Sequence, residues 1–83
     1  MNAKKLYTTI MSGRSDNNIP FDGLCSLLHR MGFSERQRGG SHRIFYRKDV
    51  VEIINIQPAQ GKRAKSYQVK EIRALFRTYN LEV

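Results

Sequence analysis

Cysteine occurs once in the 83 residues, as Cys25, and that excludes an internal disulfide. No Cys/His cluster has zinc spacing, so no metal staple is present and no cofactor is expected. Long apolar runs are missing as well. The longest apolar piece near the start, Leu6 to Met11, is broken by Thr8 and Thr9 and carries no small-residue cleavage site. Neither export nor membrane insertion is expected from it, and a cytoplasmic, reducing compartment fits the single cysteine. Paired carboxylates for acid-base work are also lacking. Asp49 and Glu52 fall in a turn and a strand amid opposite charges, where ion pairing or solvation accounts for them.

Acids are scarce overall, 7 against 15 bases, which gives a net charge of +8. Residues 1–32 carry four bases and two acids, residues 33–65 eight and three, and residues 66–83 three and two, so the middle segment holds +5 of the excess. A polyanion is drawn to that segment, although a merely soluble basic face would show the same charge. The apolar fraction of 40% suits one modest core, and the length allows a single domain.

Apolar residues then set the elements. Ala3, Leu6 and Ile10 make a short helical stripe ending at Ser12-Gly13, and Gly13 to Asn18 is a polar loop before Pro20, which suits the first turn of a new helix. Leu24, Leu27, Leu28 and Met31 recur at i, i+3, i+4 and i+7, with Ser26, His29 and Arg30 turned away. Gly32 is placed for the left-handed cap and Phe33 for folding back onto the last turn. Three extended pieces follow, Phe33 to Arg38, Ser41 to Arg47 and Val50 to Gln57, separated by Gly39-Gly40 and Lys48-Asp49. Pro58 to Lys65 reads as a basic loop. Ser66 can cap a final helix carrying Val69, Ile72, Phe76 and Tyr79 on one face. The order predicts an α+β layer with helices on one face of a three-stranded meander and the other face free for a ligand.

His42 is the residue best placed for chemistry. Gly39, Gly40 and Ser41 precede it on the turn into a strand, where glycines let a bulky anion approach and the Ser41 hydroxyl can hold a phosphate oxygen. Histidine ordinarily titrates near neutrality, which suits removal of a ribose 2'-OH proton so that the oxygen attacks the adjacent phosphorus without metal. The plainer alternative is a glycine-rich turn with an exposed histidine at its shoulder. Arg36, Arg38, Arg43, Arg47 and Lys48 can reach phosphates, and Tyr46 or Phe45 can stack on an unpaired base, one of the two being core. Lys62, Arg63 and Lys65 form a second basic locus before the final helix. His29 has no acidic partner at ligand spacing and reads as a solvated residue. Cys25 reads as a small buried hydrophobe.

Leu27-Leu28-x-x-x-Gly32-Phe33, Gly40-Ser41-His42 opening a strand, Ile56-x-Pro58 and the closing helix together resemble the HicA family of toxin-antitoxin RNA-cleaving toxins, over about residues 19–83. The stretch from Ile54 to Val69 is similar to family members with an additional N-terminal helix. The resemblance implies a double-stranded-RNA-binding-domain-like α-β-β-β-α fold with that extra helix, in one domain: residues 1–18 as N-terminal helix and polar loop, residues 19–83 as the HicA-like core. It implies cleavage of messenger RNA with His42 as the catalytic histidine, and a HicB-type antitoxin partner, with a higher-order toxin-antitoxin complex conceivable. Many members have a second histidine after the catalytic one. Here Arg43 stands in that place and can stabilise charge, but no general acid for the leaving 5'-oxygen is evident, which predicts slow turnover.

The expectation is therefore a metal-independent endoribonuclease toxin with His42 as base, Gly40 and Ser41 shaping the phosphate site, Arg43 and Lys48 as charge partners, and Arg38, Lys62, Arg63 and Lys65 as further RNA contacts. The alternative is a non-catalytic RNA-binding module on the same fold, dependent on the basic loop and indifferent to His42.

Overall fold

The computed structural model describes residues 2–37 and 42–83. Arg38, Gly40 and Ser41, expected at the phosphate site, lie outside the described residues together with Gly39. Helix α1 (Ala3–Ser12) starts where the Asn2 side chain accepts the Lys5 N–H at 2.7 Å, and it stops at Gly13, whose φ of 72° gives the left-handed cap. It buries Leu6 and Ile10. A short 3-10 turn, Asp16–Asn18, interrupts the polar loop. Pro20 is the N-cap of α2 (Phe21–Arg30), one position earlier than the sequence suggested. Gly32 (φ 91°) closes α2: its N–H reaches the His29 carbonyl and the Phe33 N–H the Leu28 carbonyl, both at 3.0 Å. Phe33 is buried as a result, only 3% exposed.

Strands β1 (Ser34–Gln37), β2 (Arg43–Arg47) and β3 (Val50–Ile56) form an antiparallel sheet in chain order. The architecture is the α+β arrangement the sequence predicts, helix, three-stranded sheet, helix, consistent with the double-stranded-RNA-binding-domain-like fold. Pleating divides the side chains. Phe45, Val50, Ile54 and Ile56 join the core with Leu24, Leu27, Leu28 and, from α3 (Ser66–Thr78), Val69, Ile72 and Phe76. His42, Ile44, Tyr46, Arg36 and Asn55 have the opposite parity and belong to the outer face. A bulge interrupts the β2/β3 ladder: Arg47 faces Val50 but Phe45 faces Ile54, leaving Val51, Glu52 and Ile53 exposed in succession.

Helix α3 begins at Ser66 itself, with Lys65 as N-cap and no side-chain cap, so Ser66 does not act as the cap. Two of its arginines instead cap a different helix. Arg73 donates to the Ile10 carbonyl at 3.0 Å, which the Gly13 N–H also reaches, and Arg77 to that of Met11 at 3.3 Å, both at the end of α1. Arg73 also forks onto Asp16 at 2.7 and 3.0 Å, which lowers the Asp16 pKa, and Tyr7 donates to the Leu81 carbonyl at 2.6 Å. The N-terminal helix is thereby part of the core. Along the outer edge of β3, Gln68 bridges the Gln57 N–H and the Asn55 carbonyl, both at 3.3 Å. Tyr79 receives the Val51 N–H and donates to Glu52.

Candidate catalytic face

His42 stands exposed at the start of β2 on the outer face. Its Nδ1 lies 3.1 Å from Oδ1 of Asn55 on β3. An amide oxygen only accepts, so Nδ1 is the donor in this contact, and in the neutral ring the lone pair then lies on Nε2, directed away from Asn55. Asn55 in turn has its main chain fastened to α3 through Gln68. Sequence spacing did not single out Asn55, because which residue of β3 reaches His42 depends on the sheet register, nor Gln68, whose contacts are with the β3 main chain.

Arg43, next in the chain, points to the helix side. It forks onto Glu35 with Nε–Oε2 at 2.5 Å and Nη2–Oε1 at 2.8 Å, and its guanidinium carbon lies 5.9 Å from the Phe45 ring centre. The structure does not bring it to His42, and the expected role beside the phosphate gives way to a role in holding β1 to β2. The Arg43 fork, helped by His29, holds the Glu35 carboxyl down at about 2. His29 Nε2 donates to Glu35 Oε1 at 2.6 Å and its ring meets Phe45 edge-on, so its reading as a merely solvated residue is corrected. The Schellman turn at Gly32 brings Glu35 back alongside the helix, which spacing on the helix alone could not reveal.

Lys48 is exposed in the hairpin turn at the far end of β2 from His42. Arg47 is occupied, bound to Asp49 at 2.8 Å and to the Met31 carbonyl at 2.9 Å. Lys62 and Arg63 are exposed and Lys65 half-buried in the loop after β3, the end of the sheet that carries His42. That loop is tied down by the Ala64 N–H on the Ile19 carbonyl at 2.8 Å. Cys25 is buried and its thiol is pushed up to about 11 by burial, which makes it a poor nucleophile at neutral pH. Among the described residues no group of His, Cys, Asp or Glu is arranged to hold a metal, and no helix is long and apolar enough to cross a membrane.

A family model described as the HicA toxin of bacterial toxin-antitoxin matches residues 21–78, well over half of the chain. The chain belongs to the HicA toxin family. No curated protein and no solved structure matches it. The HicA match opens at the first residue of α2 and closes at the last of α3, so α1 and the 3-10 turn lie outside it although they share the core. Membership in the HicA family makes the protein a toxin-antitoxin toxin and implies a cognate antitoxin.

Proposed function

We propose that this HicA-family toxin is a metal-independent endoribonuclease that cuts messenger RNA at the outer face of its sheet. The observation that supports the reading is the His42–Asn55 contact, in which Nδ1 donates, so that Nε2 of the neutral ring is the nitrogen turned to the exposed outer face. Nε2 takes the proton of a ribose 2'-OH, the freed oxygen attacks the adjacent phosphorus, and the bond to the 5'-oxygen breaks. The products are a 2',3'-cyclic phosphate and a 5'-hydroxyl end. The leaving oxygen takes its proton from water or from the imidazolium, and with no second histidine beside His42 turnover is slow. Gly40 and Ser41 would shape the phosphate site. Arg38, Lys48, Lys62, Arg63 and Lys65 would supply positive charge along the RNA. A HicB-type antitoxin would neutralise the toxin by covering this face.

Induced expression of the wild type and of His42→Ala in bacteria tests the reading, with growth followed and 5' ends of a reporter messenger RNA mapped by primer extension. Arrest with new 5' ends only in the wild type supports it, and cutting that survives in His42→Ala sinks it. A second reading, RNA binding without cleavage, is favoured by the fixed basic loop at Lys62, Arg63 and Lys65. It gives salt-dependent affinity that drops with substitutions there and is indifferent to His42.

A further inference from the structure

Tyr46 takes no part in the proton transfer, yet it lies on the strand that His42 leads into and on the same face as His42. Tyr46 is 43% exposed, and the Arg36 guanidinium carbon sits 5.9 Å from its ring centre. Phe45, its neighbour, is fully buried, so the choice between the two aromatics falls on Tyr46. Beside the ring is a hollow lined by Gly32, Ser34, Tyr46, Arg47, Lys48 and Asp49. Arg47 and Asp49 hold each other there, which leaves the exposed Lys48 as the cation at the rim.

The four residue steps from His42 to Tyr46 span about 13 Å along an extended chain. An unstacked nucleic-acid strand, stretched beyond the roughly 3.4 Å per nucleotide of a duplex, covers that in about two or three steps. A base paired in a duplex hides its π-face against its neighbours, whereas an unpaired one can lay it on a tyrosine.

We infer that Tyr46 is the platform of a single-stranded RNA subsite: an unpaired base within about three nucleotides of the cleaved phosphate stacks on its ring above the Gly32–Ser34 hollow, and Arg36 and Lys48 take the flanking phosphates. This rests on the nuclease reading for the position of the scissile phosphate. The ligand is RNA rather than a protein segment because, with Arg47 and Asp49 paired to each other, the charged groups left around the ring, Arg36 and Lys48, are cations, which complement a phosphate chain.

Binding is measured with the full chain and a short fluorescein-labelled 2'-O-methyl oligoribonucleotide, which lacks the attacking hydroxyl and stays intact. Tyr46→Ala should weaken it about tenfold or more, and Tyr46→Phe by less than about threefold. A duplex of the same sequence should lose less than about twofold with either variant. An abasic residue at one position near the cleavage point should cost the wild type the same factor and cost Tyr46→Ala nothing further. Unchanged binding by Tyr46→Ala, or equal loss with Tyr46→Phe, overturns the inference, and the former hands the exposed ring to a protein partner. Cleavage of the unmodified strand by wild type and His42→Ala is assayed alongside, so failure of the nuclease reading shows there while the stacking subsite is decided by binding.

Discussion

The Glu35 carboxylate and the Arg43 guanidinium meet as a two-pronged fork, 2.5 and 2.8 Å, linking β1 to β2 on the helix-covered side of the sheet. Glu35 is 12% exposed and Arg43 28%, so the pair is only partly screened by water. Glu35→Gln should cost about 1–3 kcal/mol of unfolding free energy, read from urea melts at neutral pH.

The same pair sets an acid limit. With the Glu35 pKa depressed from 4.5 to about 2, the unfolded chain binds its proton first as pH falls. The contribution is complete above about pH 4.5 and drains away between there and about pH 2. Melting temperatures measured across that window should fall less steeply for Glu35→Gln than for the wild type. Parallel curves would mean that the fork contributes nothing.

In the proposed reaction Asn55 would act by holding the His42 ring, without touching the phosphorus. Asn55→Ala should reduce the rate about 10- to 100-fold by releasing the ring from its tautomer and orientation. Asn55→Asp should restore the orientation while favouring the imidazolium, so the acidic limb of its pH–rate profile moves to higher pH. A purely structural role for Asn55 would leave that limb in place.

Much of this architecture was legible beforehand. The Leu24, Leu27, Leu28, Met31 stripe and the Gly32 stop placed α2, because burial of one helical face demands that period and only a left-handed residue closes the turn so tightly. The three strands were likewise marked by their turns. The partners of the site residues were not. Alternation along β2 puts His42 and Arg43 on opposite faces, but reading both as one phosphate cluster overlooked the pleat. A hairpin turning at Lys48-Asp49 without a bulge would set Asn55 directly opposite His42. The bulge slides β3 so that Asn55 faces Ile44 and reaches His42 diagonally, and no residue in Val51-Glu52-Ile53 announces it.

Gly32 is replaceable in volume but not in conformation. A Cβ built there would meet nothing closer than the Arg47 side chain at 3.9 Å, so the cost of Gly32→Ala is that of the φ of 91°, about 1–2 kcal/mol. Gly32→Asn should cost less in the same urea melts. Equal costs would point to packing instead.

Arg73→Met should destabilise by about 2–4 kcal/mol, because it strands the 10%-exposed Asp16 carboxylate and uncaps α1. Combining it with Asp16→Asn should recover part of the loss. Limited proteolysis should cut the single variant first within residues 1–18.

Gln68 and Tyr79 have a further effect on the company the protein keeps. A bare outer strand invites a foreign strand to zip onto its hydrogen-bonding groups, the first step of runaway self-assembly. Here the outward groups at Val51, Asn55 and Gln57 are already spoken for by side chains of the last helix and its C-cap. An intruding strand pairing along the length of β3 would have to evict both residues, so the helix serves as a fence at both ends of that rim of the sheet.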